Sequence, residues 1–239
     1  MILFKNSRVP ARRLSAKAEN DPARRWKVKR NPHRRTDVAT AAFGLKAHSG
    51  WAALVVLGIR DGELQVLERS RLELVEDADK QWAKQPYHVA EELRPAEAGK
   101  VVKRGVEAAR RIALRELRAA VKRTRESGFE TQGCGLLVGD PMPNWSVAEI
   151  LAVHFRMHKA EGVLFREVLA EAADFCDLRL VTLPEKLLLE HAEAALLTTA
   201  SSLLQKIATL GKSVGPPWGK DQKDAALAAL IALQGQARV

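Results

Sequence analysis

The order of predicted elements in this 239-residue chain indicates an α/β protein built on one mixed, five-stranded sheet. Three apolar or alternating segments follow one another closely, which is typical of an antiparallel meander. Strands and helices then alternate along the rest of the chain, which favours further strands added to the same sheet. We therefore expect three antiparallel strands, then alternating helices and strands, with helices on both faces of the sheet.

The first three predicted strands are separated by short turn sequences. They occupy residues 40–48, 51–59 and 63–75. The second, WAALVVLGI, is apolar throughout, as expected for a strand buried on both faces. Asp61-Gly62 stands before the third strand and is a strong signal for a two-residue hairpin turn. The third strand alternates apolar and polar residues, and we expect a bulge near Ser70.

A long amphipathic helix follows the meander and is predicted from Ala96 to Ser127. Pro95 is favourable in a first helical turn, and Gly128 is a natural C-terminal cap. Residues at helical spacing give it an apolar face, formed by Val102, Val106, Ala109, Ala113, Leu117 and Ala120. The opposite face is basic and carries Lys100, Arg104, Arg111, Arg115, Arg118, Lys122 and Arg125. Such a face is either an ordinary solvated surface or one that follows a phosphate backbone.

The remaining predicted elements alternate between strands and helices. Residues 133–138 and 178–183 are the fourth and fifth predicted strands. Ser146 and Glu149 have the spacing of a capping box, so a helix is expected from Ser146 to about Asp174, with a break near Gly162. Two further helices are predicted over residues 185–210 and 221–234.

The overall composition excludes several classes of protein. With 46% hydrophobic and 28% charged residues, the chain has an ordinary globular composition. The longest uninterrupted apolar run is the nine residues 225–233, whereas a membrane-spanning helix needs about 20. Cys134 and Cys176 by themselves make neither a zinc site nor a disulfide framework. We therefore expect a cytoplasmic protein without membrane association.

The positive charge is concentrated at the N-terminus. Residues 1–37 contain twelve lysines and arginines against three acidic residues, a net charge of +9 out of +10 for the chain. Few large apolar residues occur there, so we expect a basic flexible arm, followed by one domain over residues 38–239. Such an arm binds phosphates with salt-sensitive affinity, here through Arg24, Arg25 and Arg30. A solvated tail, a misassigned start codon and a transit peptide are the alternatives.

Four short passages resemble the ribonuclease H-like superfamily, and within it the RuvC resolvases and the YqgF-type proteins. They are Phe43–Ala52 (FGLKAHSGWA), Leu136–Asn144 (LLVGDPMPN), Val181–Leu187 (VTLPEKL) and Asp224–Gln234 (DAALAALIALQ). In that order they resemble the family's first strand, the exit of its fourth strand, its fifth strand leading into an acidic residue, and its closing helix. Their order and spacing carry the resemblance, which extends over about residues 40–236.

The resemblance implies a phosphodiester-cleaving site of clustered carboxylates that hold Mg²⁺ or Mn²⁺. These cations prefer oxygen ligands, and a pair of them activates water and stabilises the leaving oxygen. Glu185 corresponds to the family's fifth-strand acid and Asp224 to its closing-helix Asp, so both are candidate catalytic residues and metal ligands. Asp140, just beyond the fourth strand, is the third candidate catalytic residue. Asp221 lies one helical turn before Asp224, where we expect it to cap the helix.

The first strand departs from the family pattern, because Lys46 stands where the family has its metal-bridging Asp. An ammonium group cannot ligate Mg²⁺, and His48, on the same face of a regular strand, offers a nitrogen that Mg²⁺ disfavours. Both residues are instead candidate contacts to nucleic acid, and Lys46 is also able to neutralise a neighbouring carboxylate. We therefore expect a degenerate member of the superfamily that binds structured or branched DNA or RNA without a complete two-metal site.

Two other functions stay open at this stage. An active Mg²⁺- or Mn²⁺-dependent nuclease or resolvase would take its first ligand from elsewhere or use fewer metal ions. A protein-interaction domain would use the same fold without any role for nucleic acid. The oligomeric state is open, with a homodimer as one alternative.

One pair of histidines has a spacing that is common among metal ligands. His154 and His158 are four residues apart, so they share a face of a predicted helix. The sequence HFRMH lacks the Glu of the metalloprotease motif, and no third ligand stands out along the chain. We therefore expect these two residues to be ordinary core or surface histidines.

Overall fold

The computed structural model describes residues 38–234, apart from the side chains of Lys80 and Gln81. The predicted arm, with Arg24, Arg25 and Arg30, lies outside the described residues, as do residues 235–239. None of the helices in the described range combines the length and the apolar composition that crossing a bilayer requires.

Five strands form one mixed sheet: β1 (Thr40–His48), β2 (Trp51–Arg60), β3 (Glu63–Glu73), β4 (Glu130–Val138) and β5 (Arg179–Pro184). Their order across the sheet is β3-β2-β1-β4-β5. The first three are antiparallel, whereas β4 runs parallel to β1 and β5 runs parallel to β4. This order and these directions are those of the ribonuclease H-like fold, which confirms the predicted fold class.

Eight helices accompany the sheet in the described part of the chain: α1 (Lys80–Ala83), α2 (Pro86–Ala90), α3 (Pro95–Glu126), α4 (Val147–Leu151), α5 (His154–Phe175), α6 (Leu188–Leu196), α7 (Ala200–Val214) and α8 (Lys220–Gln234). Short 3-10 turns are found at Asp77–Asp79 and Glu185–Leu187. Helices α3 and α5 pack on one face of the sheet. Helices α6, α7 and α8 pack on the other face, so the prediction of helices on both faces is confirmed.

Turns and pairing within the meander follow the predictions in part. Asp61 and Gly62 both adopt positive φ angles, 54° and 82°, as a tight hairpin turn of this sequence requires. The predicted bulge near Ser70 is wrong, since the register shifts where Val56 pairs with Glu68 and Leu57 pairs with Val66. Leu67 is therefore the extra residue, three positions earlier than expected.

The helical region after β4 breaks at a different place from the predicted one. The capping box of Ser146 and Glu149 forms and starts α4. A new helix, α5, then begins after Val153, whose backbone is extended, and it continues through Gly162 without interruption. Buried neighbours such as Met157 and Leu164 hold this helix together. Packing of that face outweighs the intrinsic cost of one glycine, which is about 1 kcal/mol.

The predicted helix over residues 185–210 is two helices in the structure. Leu197 caps α6 in the left-handed conformation, with φ of 49°. Thr199 then caps α7, because its side chain accepts a hydrogen bond from the Ser202 amide at 3.3 Å. Thr199 is a strong N-cap residue type. The signal for the second helix was therefore present in the sequence, inside a segment with continuous helical periodicity.

Helix α8 lies directly against the centre of the sheet. Gly44 of β1 and Gly135 of β4 are register partners. A Cβ atom would come within 1.7 Å of the Ala225 carbonyl oxygen at Gly44, and within 2.3 Å of the Ala228 carbonyl oxygen at Gly135. All residues from Ala225 to Leu233 are buried, as expected for a helix that is apolar all round. The first turn of α8 is thereby held beside the carboxyl end of β1.

We expect Gly44→Ala to destabilise the protein by about 3 kcal/mol or more, at the upper end of overpacking effects. The new methyl group would collide with helix backbone, which cannot rotate away as a side chain can. Chemical denaturation followed by circular dichroism measures the change. Gly99→Ala in α3 is the control, because nothing lies within 4 Å of its new Cβ. That variant should be neutral or stabilised by up to about 1 kcal/mol; equal midpoints for the two variants would contradict the close contact of α8.

Candidate functional site

Three elements bring charged side chains to one edge of the sheet. Side chains alternate along a strand, so Lys46 shares with Gly44 the face of β1 that meets α8. Glu185 directly follows β5, which runs in the same direction as β1. Asp221 and Asp224 lie at the start of α8. The shared edge of the parallel strands and the close contact of α8 therefore bring all four residues together.

The Lys46 ammonium group contacts all three carboxylates. Its Nζ lies 2.8 Å from Asp224 Oδ2, 2.8 Å from Glu185 Oε1 and 3.2 Å from Asp221 Oδ1. Lys46 is only 5% exposed. A lysine ammonium has three hydrogens, and here each of them has a carboxylate within reach. The buried positive charge is thus compensated by three charge-assisted contacts.

Two opposing effects act on the pKa of Lys46. Burial lowers the pKa, because it disfavours the charged form of an amine. Hydrogen bonds to Asp224, Glu185 and Asp221 raise it, and together with the negative charge of Asp224 they leave the pKa well above that of an ordinary lysine. Lys46 is therefore a permanent cation at neutral pH.

Two further basic residues complete the cluster. Lys220 Nζ lies 2.5 Å from Asp224 Oδ2 and 3.7 Å from Glu185 Oε1. His48 stacks on Trp51, with ring centroids 4.2 Å apart, and its Nε2 lies 3.1 Å from Asp221 Oδ2. We call Lys46, Glu185, Asp221, Asp224 and Lys220 the lysine–carboxylate cluster.

The sequence analysis missed one member of this cluster and misplaced another. Lys220 was not singled out, although it lies four residues before Asp224 on the same helix face, a spacing that favours ion pairs. Asp221 was expected to cap the helix, but α8 begins at Lys220, so Asp221 lies within its first turn. Its carboxylate contacts Lys46 and His48 instead.

The residues present do not fit the divalent cation that the ribonuclease H-like fold implies. Mg²⁺ requires oxygen ligands at about 2.0–2.1 Å in a near-octahedral arrangement. The three carboxylates instead surround the Lys46 ammonium, so this group occupies the central place that a metal ion would need. A lysine cation has no lone pair to offer and repels a second cation. The cluster is therefore a complete electrostatic unit without a metal ion.

Asp140, the third candidate catalytic residue, lies apart from the lysine–carboxylate cluster. Its carboxylate pairs with Lys186 Nζ at 2.7 Å, and both side chains are largely exposed. The hydrogen bond from Lys186 lowers the pKa of Asp140. The sequence placed Asp140 correctly after β4, but the loop there turns its side chain toward a lysine.

A cleft of about 1040 Å³ lies next to the cluster, between the carboxyl ends of β4 and β5 and one side of α5. Four basic side chains line it, those of Lys159, Arg166, Lys186 and Lys220, against the two acidic ones of Asp140 and Glu185. Phe155 contributes an aromatic ring that is 70% exposed. Excess positive charge beside an exposed aromatic ring suits an anionic chain that also carries flat, stacking groups.

The predicted basic face of α3 is exposed, but it lies on the other side of the sheet from α8. Some of its charges are compensated within the protein. Arg115 pairs with Glu76 and Glu116, at 2.7 and 2.8 Å, and Lys122 lies 3.7 Å from Glu126. The guanidinium group of Arg104 covers the ring of Trp82. The remaining predicted contacts on this face are the exposed side chains of Lys100, Arg111 and Arg118.

Comparison with known proteins returns similarities at the level of structure. No protein-family model matches the chain, and no curated protein matches it. The structure is similar to Thermus thermophilus RuvC in complex with a Holliday junction substrate, at 11% identity and a TM-score of 0.45, covering 80% of this chain and 92% of that one. A second T. thermophilus RuvC structure has 10% identity and a TM-score of 0.40, with 82% and 94% covered.

A third similar structure is that of the Aquifex aeolicus PPX-GPPA enzyme. It has 15% identity and a TM-score of 0.31, covering 65% of this chain and 41% of that one. The fold assignment itself follows from the order and directions of the five strands.

Proposed function

We propose that this chain is a nucleic-acid-binding protein of the ribonuclease H-like fold that does not cleave its ligand. The observation that carries the proposal is the Lys46 Nζ, which lies within 3.2 Å of oxygens from Glu185, Asp221 and Asp224. Residues that the resemblance assigns to a metal are thereby bound by an amine that belongs to the chain itself.

Cleavage of a phosphodiester needs a group that activates water and a group that stabilises the leaving oxygen. The lysine–carboxylate cluster supplies neither, because its carboxylates are engaged by Lys46 and Lys220. Displacing Lys46 would leave a buried ammonium without partners, which is strongly unfavourable. The resting arrangement therefore favours binding over chemistry.

Basic side chains in the cleft supply the proposed contacts to phosphate. Arg166 and Lys159 line the wall formed by α5, while Lys186 and Lys220 follow β5 and open α8. A guanidinium group binds phosphate oxygens with two parallel hydrogen bonds, and an ammonium group acts as a compact charge. The exposed bases of α3 and the arm at residues 1–37 would extend this contact. Structured or branched DNA or RNA is the proposed ligand, and a cytoplasmic location stays a prediction.

We expect the full chain to bind a four-way DNA junction or a stem-loop RNA with an affinity that falls steeply as salt rises. Fluorescence anisotropy at several salt concentrations measures this. Lys159→Gln with Arg166→Gln should reduce the slope of log K against log salt by about 1.8 on duplex DNA, since each lost phosphate contact contributes about 0.9.

The matched control for this double variant is Lys206→Gln with Lys212→Gln. Both lysines are exposed on α7 and neither lines the cleft. The control should keep the wild-type slope. Absence of binding by the wild type at physiological salt, or equal losses in both double variants, would contradict the proposed role of the cleft and favour a protein-interaction domain.

We expect no cleavage of the same substrates by the wild-type chain in Mg²⁺ or Mn²⁺. Denaturing gel electrophoresis of end-labelled junction and stem-loop measures this against a reaction without protein. The preparation carrying Asp224→Asn separates intrinsic activity from contamination. Cleavage by the wild type that disappears in Asp224→Asn would show an active nuclease and refute the non-cleaving proposal.

We expect Lys46→Met to destabilise the protein by about 2 kcal/mol. Breaking a fully buried ion pair costs about 3–5 kcal/mol, and the partial exposure of these carboxylates reduces that figure. Denaturant unfolding measures the change, and Lys186→Met, which removes a lysine from an exposed pair, should leave stability unchanged. Millimolar Mg²⁺ should raise the unfolding temperature of Lys46→Met but not of the wild type. An equal Mg²⁺ effect on both would contradict the assignment of Lys46 to the place of the metal.

A further inference from the structure

Three histidines from two helices converge at the carboxyl edge of the sheet, outside the lysine–carboxylate cluster. His88 belongs to α2, whereas His154 and His158 lie in the first two turns of α5. One nitrogen from each residue lies within 4.8 Å of the others. His154 and His158 are the pair that the sequence analysis treated as ordinary. The third residue, 66 positions before His154, is brought to them by the packing of α2 on α5.

We propose that His88, His154 and His158 bind a zinc ion. Tetrahedral Zn²⁺ with Zn–N bonds of about 2.0–2.1 Å holds its nitrogen ligands about 3.3–3.4 Å apart. His154 Nε2 and His158 Nε2 lie 3.1 Å apart in the structure. Both rings are on exposed helical positions, so they are free to turn toward an ion and close the longest separation by about an ångström, as this geometry requires.

The orientation of His88 is the strongest support for this proposal. Its Nδ1 lies 2.8 Å from Glu161 Oε2, and its backbone amide donates to Glu161 Oε1 at 3.2 Å. Glu161 is only 2% exposed. A carboxylate acceptor keeps the proton on Nδ1 and leaves a lone pair on Nε2. Metal-binding histidines are commonly held in this way, with the second nitrogen bonded to a carboxylate.

The His88 Nε2 atom has no other partner. It is buried and makes no hydrogen bond to any described residue. Leaving a buried polar atom unpaired costs about 1–3 kcal/mol, which a metal–nitrogen bond would offset. His154 has a similar arrangement, since its Nδ1 lies 3.6 Å from Glu91 Oε1 while its Nε2 is turned to His158.

The donor set decides which ion is bound. Three imidazole nitrogens suit Zn²⁺ and other late first-row metals, whereas Mg²⁺ requires oxygen ligands. Three protein ligands also leave the fourth position of a tetrahedral ion for water or another small ligand. His158 lines the cleft beside the lysine–carboxylate cluster, so the ion would lie at the rim of that cleft. The zinc site is independent of the proposed nucleic-acid binding, and either proposal is able to fail alone.

We expect the tag-free full chain, stripped with a chelator, to bind one equivalent of Zn²⁺ in competition with a chromophoric chelator. Co²⁺ in the same site should show the strong visible absorption of a tetrahedral complex. His158→Ala should weaken Zn²⁺ affinity by more than the roughly 10–100-fold that loss of an outer-sphere partner costs. His191→Ala is the control, because His191 is exposed on α6 and takes no part in the group.

Glu161→Gln tests the orienting carboxylate and should weaken Zn²⁺ binding by about 10–100-fold. Because Glu161 is buried, circular dichroism first establishes that this variant folds, and the exposed His158→Ala carries the test if it does not. Zn²⁺ should also raise the unfolding temperature of the wild type more than that of His158→Ala. The proposal is overturned if the wild type binds no Zn²⁺, or if His158→Ala and His191→Ala bind it equally well.

Discussion

The close contact between α8 and the centre of the sheet is the constraint on which the rest of the structure depends. Two facing glycines, Gly44 and Gly135, leave no side chain between the strands and the helix backbone. An alanine-rich helix fits this shallow space because its small side chains fill it without voids. The first turn of that helix is thereby fixed beside Lys46, so the packing of apolar residues sets the geometry of a charged cluster.

The lysine–carboxylate cluster shows how a site of converging acids is stabilised by the chain itself. Three carboxylates close together repel one another unless a cation lies between them. Lys46 provides that cation from inside the fold and Lys220 provides a second from the surface. The raised pKa of Lys46 reflects the same interaction, since the carboxylates stabilise its charged form more than burial destabilises it. Integrity of the cluster thus depends on a covalently attached charge, which cannot dissociate as a metal ion can.

Two sites of different chemistry border one cleft at the carboxyl edge of the sheet. The lysine–carboxylate cluster offers oxygen atoms already bound by amines, whereas the histidine group offers nitrogen atoms, one of them buried and unpaired. Glu185 and Lys220 line the cleft from one side and His158 from the other. Both sites lie at this edge because parallel strands end there and the helices that follow or precede them begin there, as is general for binding sites in α/β folds.

The sequence by itself determined the strands of the meander, the long helix α3 and the buried helix α8, because periodicity and apolar runs are local properties of the chain. The order of motifs also led to Lys46, Glu185 and Asp224. The places of Asp140, Lys220 and His88 required the tertiary structure, as did the helix boundaries at Val153 and Leu197. Contacts between residues far apart in the chain depend on how helices pack on the sheet, and a single sequence carries no local signal for that packing.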